Sequence, residues 1–164
     1  MAPEDFLEAQ RAAMIVAEQD AAQIVHNIEN PLDLEIRFID KEAVIVQGNW
    51  TGAKYSFEWH RIASYKYLHA EVIDFAIWYR GTLCGLCCAF VSGDQVLLDT
   101  LQGCPDDDHP LKGYVVKLAI YVLSTYGKLI GATEIAIPQP LDGAVQVYLT
   151  NGFTYHGGVL EYQI

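Results

Sequence analysis

The chain has 164 residues, of which 52% are hydrophobic and 19% charged, which is typical of one folded domain and excludes a disordered chain. The formal net charge of −11 disfavours nucleic acid, whose phosphates it would repel, and suits a cationic substrate or partner, although acidity that only keeps the protein soluble is the alternative. The sequence has no apolar run that could span a bilayer, and its start does not have the pattern of a secretion signal. We therefore expect a single domain over residues 1–164. We also expect the protein to be soluble and cytoplasmic and to bind no membrane.

The N-terminal part predicts a long helix followed by short elements. Apolar residues recur at helical spacing from Glu4 to Asn30, and Pro31 ends the pattern. Residues 34–39 alternate with period two, which predicts a half-buried strand, and the apolar run 43–46 predicts another. A turn over residues 48–54 and a short helix over residues 59–68 complete this part.

The middle of the chain predicts three antiparallel strands. Residues 72–79, 83–91 and 96–101 are rich in β-formers and are separated by short turns, which is typical of a meander. The second strand contains Cys84, Cys87 and Cys88. Cys-x-x-Cys spacing can bind zinc, but no second pair of ligands occurs elsewhere, so we interpret these cysteines as buried core residues.

The C-terminal part predicts alternating helices and strands. A long helix is expected to begin at Pro110, with Asp108 or His109 as its N-cap, and to end between Gly127 and Gly131. A strand over 133–137, a helix over 141–151 and strands over 153–155 and 159–162 follow. The fold class is therefore α/β (α+β), with a mixed, mostly antiparallel sheet of about six or seven strands flanked by helices.

One run near the C-terminus resembles a motif of the GNAT superfamily of acyl-CoA-dependent N-acyltransferases. In that family Ala-x-x-x-Tyr-x-x-x-Gly-Phe lies on the helix after the fifth strand, and here Ala144, Tyr148, Gly152 and Phe153 fall in register. Leu141 stands where the family often has Asn. The resemblance is clearest over residues 72–155.

A second run matches the family less well. GNAT proteins carry Arg/Gln-x-x-Gly-x-Gly/Ala before the helix whose N-terminal amides bind the cofactor pyrophosphate. The corresponding run here is Pro110-Leu111-Lys112-Gly113-Tyr114-Val115, which keeps only the first glycine. We interpret the preceding Asp106, Asp107 and Asp108 as helix caps. The resemblance implies acetyl-CoA or another acyl-CoA as cofactor, held by Leu101, Gly103, Lys112, Gly113, Tyr114 and Val115.

The resemblance also implies direct attack of an amine on the thioester. Tyr148 would protonate the leaving thiolate, and Asp99 is the candidate base, with Glu71 and Asp74 as alternatives. The five histidines show no ligand spacing. Some aromatic residues are candidates either for an acceptor pocket or for the core: Trp59, Tyr65, Tyr67, Trp78 and Tyr79.

The acceptor is expected to be an amine on a small molecule or a protein, and a homodimer is compatible with these expectations. Two other interpretations stay open. The degenerate run from Pro110 to Val115 suits a GNAT-fold protein that has lost catalysis and serves in binding or regulation. An unrelated α/β fold would lack the separation of the fourth and fifth strands.

Overall fold

A computed structural model describes all residues 1–164. The helices are α1 (Pro3–Gln19), α2 (Ala21–Ile24), α3 (Lys41–Gly48), α4 (Trp59–Ile62), α5 (Val115–Ile130) and α6 (Val145–Thr150). The strands are β1 (Leu34–Arg37), β2 (Ile73–Tyr79), β3 (Thr82–Ser92), β4 (Gln95–Gly103), β5 (Glu134–Ile137), β6 (Thr154–His156) and β7 (Val159–Gln163). Two short 3₁₀ turns lie at Pro31–Asp33 and Tyr65–Tyr67.

The seven strands form one sheet in the order β1-β2-β3-β4-β5-β7-β6. All neighbouring pairs are antiparallel except β4 and β5, which α5 joins by a parallel crossover. The predicted fold class is therefore confirmed: this is an α/β domain with a mixed, mostly antiparallel sheet, flanking helices and a long N-terminal helix.

Helices cover both faces of the sheet. The core on one face contains residues of α1 and α5 together with Tyr148 and Phe153. The core on the other face contains residues of α3 and α4, including Ala43 and Trp59. As predicted, the three cysteines of β3 are buried between these layers. No helix combines the length and the apolar character that crossing a membrane requires.

The run 43–46 is helical, so its assignment as a strand was wrong. It lies in α3, whose N-cap Asp40 accepts a hydrogen bond from the backbone N–H of Ala43 at 2.9 Å. A four-residue apolar run does not distinguish a strand from one turn of helix. The carboxylate of Asp40, which caps the first turn, favours the helix over the strand.

The helix predicted from Glu4 to Asn30 is shorter and broken. It ends at Gln19, where Asp20 leaves helical geometry and accepts a hydrogen bond from the hydroxyl of Tyr121. The short α2 follows, and Val25 is extended and buried. Contact with α5 thus overrides the helical pattern of the sequence.

The two C-terminal helices begin later than predicted. Helix α5 begins at Val115 rather than Pro110, because Gly113 has φ +85° and interrupts the preceding turns. Its N-cap is Tyr114, so neither Asp108 nor His109 has the predicted capping role. Helix α6 begins at Val145 rather than Leu141, after Gly143 with φ +83°.

Candidate functional site

A gap opens between β4 and β5. The two strands pair only over Gln95–Leu97 and Glu134–Ala136, whereas β4 continues to Gly103. The second half of β4 therefore has a partner only on its β3 side. This is the strand separation that the unrelated-fold interpretation would lack.

A β-bulge in β4 lies at the edge of this gap. Thr100 pairs with Cys88 and Leu98 pairs with Ala89, so Asp99 is an extra residue without a partner on β3. The bulge breaks the alternation of β4, by which Leu98 and Thr100 would lie on one face and Asp99 on the other. Asp99 is exposed, and one of its carboxylate oxygens accepts the hydroxyl of Thr100 at 2.7 Å.

The gap contains a cavity of about 130 Å³, here called the gap cavity. Its walls bring together three residues predicted for the site, Asp99, Leu101 and Tyr148. Asp99 is the only charged residue among the eleven that line it. The other predicted residues, Gly103, Lys112, Gly113, Tyr114 and Val115, do not line this cavity.

The residues that follow Tyr148 hold its ring in place. Phe153 stacks edge-on against Tyr148 with ring centroids 5.2 Å apart and also contacts Tyr162. Gly152 has φ +95°, and a Cβ there would lie 3.3 Å from the Tyr162 ring. The spacing Tyr-x-x-x-Gly-Phe therefore describes a chain reversal that packs Phe153 onto Tyr148.

The phenol of Tyr148 is buried, with 9% of the residue exposed. Burial raises the pKa of this phenol, and the neighbouring Cys87 raises it further. The phenol therefore keeps its proton at neutral pH. A buried, protonated hydroxyl beside a cavity is a group that can donate a proton.

The start of α5 presents free backbone donors. The amides of Val115, Val116 and Lys117 precede the first i→i−4 bond, which runs from Leu118 to Tyr114, and no side chain caps the helix. A Cβ at Gly113 would meet no atom within 4 Å, so the backbone there is open. Such a helix start suits an anion.

The preceding aspartates do not fill this helix start, and their predicted role as helix caps was wrong. Asp106 accepts the backbone N–H of Asp108 at 2.9 Å, which closes a local turn. Asp107 pairs with Lys112 at 2.5 Å on the exposed surface. Lys112 thus already has an anionic partner, although an exposed pair of this kind is weak.

Solved structures share the fold of this chain. The PaiA N-acetyltransferase of Thermoplasma acidophilum, in complex with coenzyme A, is 19% identical with a TM-score of 0.52 over 80% of this chain and 99% of its own. The ribosomal-protein-S18-alanine N-acetyltransferase of Escherichia coli (14% identity, TM-score 0.58) and a spermidine N-acetyltransferase of Vibrio cholerae (14%, 0.59) each match 80% of this chain and 94% of their own. The chain has the GNAT fold. No protein-family model and no curated protein matches its sequence.

Within this GNAT fold, α5 approaches the sheet closely. A Cβ added at Gly85 would lie 2.6 Å from a methyl carbon of Val115. Val115 stands where the family motif has a small residue, and Gly85 on β3 leaves room for the larger side chain. His109 is buried and accepts the backbone N–H of Leu111 at 3.2 Å, so it supports the turn before α5.

The segment before α4 closes one side of the gap cavity, and its residues were missed by sequence analysis. Phe57 lines the cavity and stacks edge-on against Trp59. The carbonyl of Tyr55 accepts a hydrogen bond from Gln102, which also accepts the indole N–H of Trp59 at 2.7 Å. The Tyr55 hydroxyl donates to the carbonyl of Asp142 at 3.2 Å and so links this segment to the loop before α6.

None of the aromatic residues proposed for an acceptor pocket lines the gap cavity. Trp59, Trp78 and Tyr79 are buried core residues. Phe57 lines the cavity instead. The only feature of the sequence that could have indicated it is the run of aromatic residues around it.

The alternative bases are also remote from the gap cavity. Asp74 is fully buried, where its carboxylate accepts hydrogen bonds from Lys66 at 2.8 Å and from the backbone of Ile39 at 2.9 Å. The Glu71 carboxylate lies 3.8 Å from Nδ1 of the exposed His69. Neither residue lines the cavity, so Asp99 is the candidate base that lines the same cavity as Tyr148.

Proposed function

We propose that this chain is an acyl-CoA-dependent N-acyltransferase that transfers an acyl group, most simply acetyl, to an amine. The observation that carries the proposal is the gap cavity, where a buried phenol, Tyr148, and a lone carboxylate, Asp99, line the same opening between β4 and β5. Fold alone does not fix function, so the proposal depends on these side chains.

The residues around the gap fit an acyl-CoA. The free amides at the start of α5 and the open backbone at Gly113 suit the pyrophosphate of the cofactor. The unpaired part of β4, including Leu101, offers backbone groups to an extended chain. Coenzyme A is present in the Thermoplasma structure of the same fold, which supports this assignment.

When bound, acyl-CoA supplies a thioester. Tyr148 lines the gap cavity, and its raised pKa keeps the phenol protonated, so the hydroxyl can give its proton to the thiolate that leaves as the carbon–sulfur bond breaks. Asp99 attracts a cationic amine and can accept its proton, directly or through water, before the amine attacks. Phe57 and Tyr148 form the aromatic part of the cavity wall around this point.

The acceptor class follows from charge. The only charged group of the gap cavity is a carboxylate, and the whole chain is acidic, so a cationic amine is attracted and an anionic substrate is repelled. Two of the similar structures act on a spermidine and on an alanine of a ribosomal protein. A small amine and a protein amine both remain acceptors under this proposal.

The test is transfer from acetyl-CoA to a panel of amines by the wild type and by Tyr148→Phe. We expect the variant to lose roughly ten- to a hundredfold in kcat while binding acetyl-CoA about as well, because only the proton donor is removed. Tyr155→Phe, which alters an exposed tyrosine of β6, is the control and should be unaffected. Equal rates for all three proteins would remove Tyr148 from the chemistry.

A second function is a catalytically inactive GNAT-fold protein used for binding or regulation. Its support is local: Pro110 has no N–H, Val115 replaces a small residue, and Lys112 is paired with Asp107. This function predicts that no amine is acetylated at any acetyl-CoA concentration, although the fold stays intact.

A further inference from the structure

A second and larger cavity lies beside the C-terminal end of the edge strand β1. It has a volume of about 700 Å³ and is bounded by the start of α1, by residues 38–41 after β1 and by residues 66–70 before β2. We call it the α1 cavity. It shares no lining residue with the gap cavity, and β2 and β3 lie between the two in the sheet.

Two charged residues of the α1 cavity already have partners. The ammonium of Lys66 makes three hydrogen bonds of 2.8–2.9 Å, to both carboxylate oxygens of Asp74 and to the carbonyl of Ile39, which uses all its donors. Asp40 caps α3 through Ala43 and lies 3.6 Å from the guanidinium of Arg37. Both residues line the cavity, and neither leaves a charge without a partner.

Three other charged residues of the cavity have no partner. Arg11, Lys41 and Glu4 take part in none of the salt bridges of the chain. Lys41 is the first residue of α3, where a cation is unfavourable to the helix dipole, so helix stability does not account for it. All three side chains are exposed, so the rim of the cavity carries two cations and one carboxylate that have no salt-bridge partner in the chain.

A buried amide adds one free acceptor. Gln10 is only 3% exposed, and its nitrogen donates to the carbonyls of Ala70 and Val72 and to the hydroxyl of Tyr126. The two carbonyls fix the orientation of the amide, since they can only accept. Its oxygen has no hydrogen-bond donor in the chain, although Gln10 lines the cavity.

The remaining wall is apolar. Leu7 and Phe38 line the cavity, and Tyr67 at its rim is 79% exposed. These side chains give the cavity an apolar wall beside its unpaired charges. An occupant that matches all of these groups carries an apolar group, an anion and a cationic donor.

We propose that the α1 cavity binds a free apolar α-amino acid as its zwitterion. The carboxylate pairs with Arg11 and Lys41, the ammonium donates to the oxygen of Gln10 and to Glu4, and the side chain packs against Leu7, Phe38 and Tyr67. Every free charge of the cavity then has a partner of opposite sign. This site is independent of the proposed transferase chemistry.

The experiment is calorimetric titration of the full chain with L-phenylalanine, and with two analogues that each lack one charge. We expect saturable binding of L-phenylalanine, and binding at least about tenfold weaker for 3-phenylpropanoate, which lacks the ammonium, and for phenethylamine, which lacks the carboxylate. In isotope-labelled protein, the side-chain amide of Gln10 should shift on binding. Equal binding of either analogue would overturn the zwitterion assignment.

Matched variants locate the ligand. Arg11→Ala and Lys41→Ala should each weaken binding by roughly tenfold, whereas Lys54→Ala, which removes a cation outside the cavity, should not. Asp99→Asn should leave binding unchanged, which separates this site from an amine bound in the gap cavity. No saturable heat in the wild type, or unchanged binding in both Arg11→Ala and Lys41→Ala, would contradict the proposal.

Discussion

Asp99 reaches the gap cavity because β4 contains one residue more than the strand it pairs with. In an unbroken strand Thr100 would follow Leu98 on the same face, and no bulge would set Asp99 apart from the ladder. The proposed interaction of Asp99 with the acceptor amine therefore depends on the β-bulge as much as on the carboxylate.

Replacing the carboxylate tests this role. Asp99→Asn should lower kcat/KM for a cationic amine by roughly tenfold or more, because the attraction and the proton acceptor are lost together. Asp142→Asn is the control, since it removes an exposed carboxylate near the cavity but keeps the backbone carbonyl that Tyr55 contacts. Steady-state rates for both variants that match those of the wild type would exclude Asp99 as base.

At the residue scale, the sequence predicted Tyr148 and Asp99 as site residues, and both line the gap cavity, whereas Phe57, which also lines it, was not predicted. The spacing from Ala144 to Phe153 follows from local geometry, so a motif can reveal it. Phe57 reaches the cavity through long-range contacts of its segment with Gln102 and Asp142. Such contacts leave no periodic pattern in the sequence.

At the element scale, the reversal at Gly152 connects α6 to the C-terminal strands and sets the position of Tyr148. Gly152→Ala should destabilise the fold by roughly 1–3 kcal/mol, because it forces a side chain into a positive φ and against the Tyr162 ring. It should also lower the transfer rate by displacing the phenol.

Gly158→Ala is the matched control for this variant. Gly158 has φ +82° and no atom within 4 Å of an added Cβ, so it carries the backbone strain without the contact. Urea unfolding of both variants, with transfer rates, separates the two effects. If the Gly158 variant lost as much activity as the Gly152 variant, Tyr162 and Phe153 would not position Tyr148.

The elements themselves were predictable where the pattern was long or bounded by turns. The meander β2–β4 and the crossover through α5 agree with the sequence because glycine turns and a sixteen-residue amphipathic helix leave little ambiguity. The assignment of residues 43–46 to a strand was wrong because a run of four apolar residues is compatible with a helix as well as with a strand. The late start of α5 depends on the left-handed Gly113, which the proline before it obscured.

At the scale of the whole molecule, buried thiols and phenols make the stability of the fold decrease at alkaline pH. Burial raises the pKa of Cys84 to about 12 and of Tyr126 to about 12, from ordinary values of 9.0 and 10.0. Between the ordinary pKa and the raised pKa of each group, the unfolded chain releases a proton that the folded chain keeps. Stability is therefore complete below pH 9.0 and decreases as the pH rises towards 12.

Urea unfolding under reducing conditions, at several pH values on either side of 9.0, measures this loss. Tyr126→Phe should be less stable at neutral pH, because it loses the hydrogen bonds with Glu71 and Gln10, but should show a shallower decline above pH 10.0. A stability that does not change up to pH 12 would mean that these groups ionise in the folded chain as they do in water.

We propose that the gap between β4 and β5, together with the free amides of α5, holds an acyl-CoA. Calorimetric titration with acetyl-CoA tests it most directly, because it requires neither the acceptor nor catalysis. We expect saturable one-to-one binding that desulfo-coenzyme A reproduces and adenosine does not, since the phosphates and the pantetheine arm both contribute. The absence of any saturable heat at millimolar acetyl-CoA, with a correctly folded chain, would show that the gap does not hold an acyl-CoA.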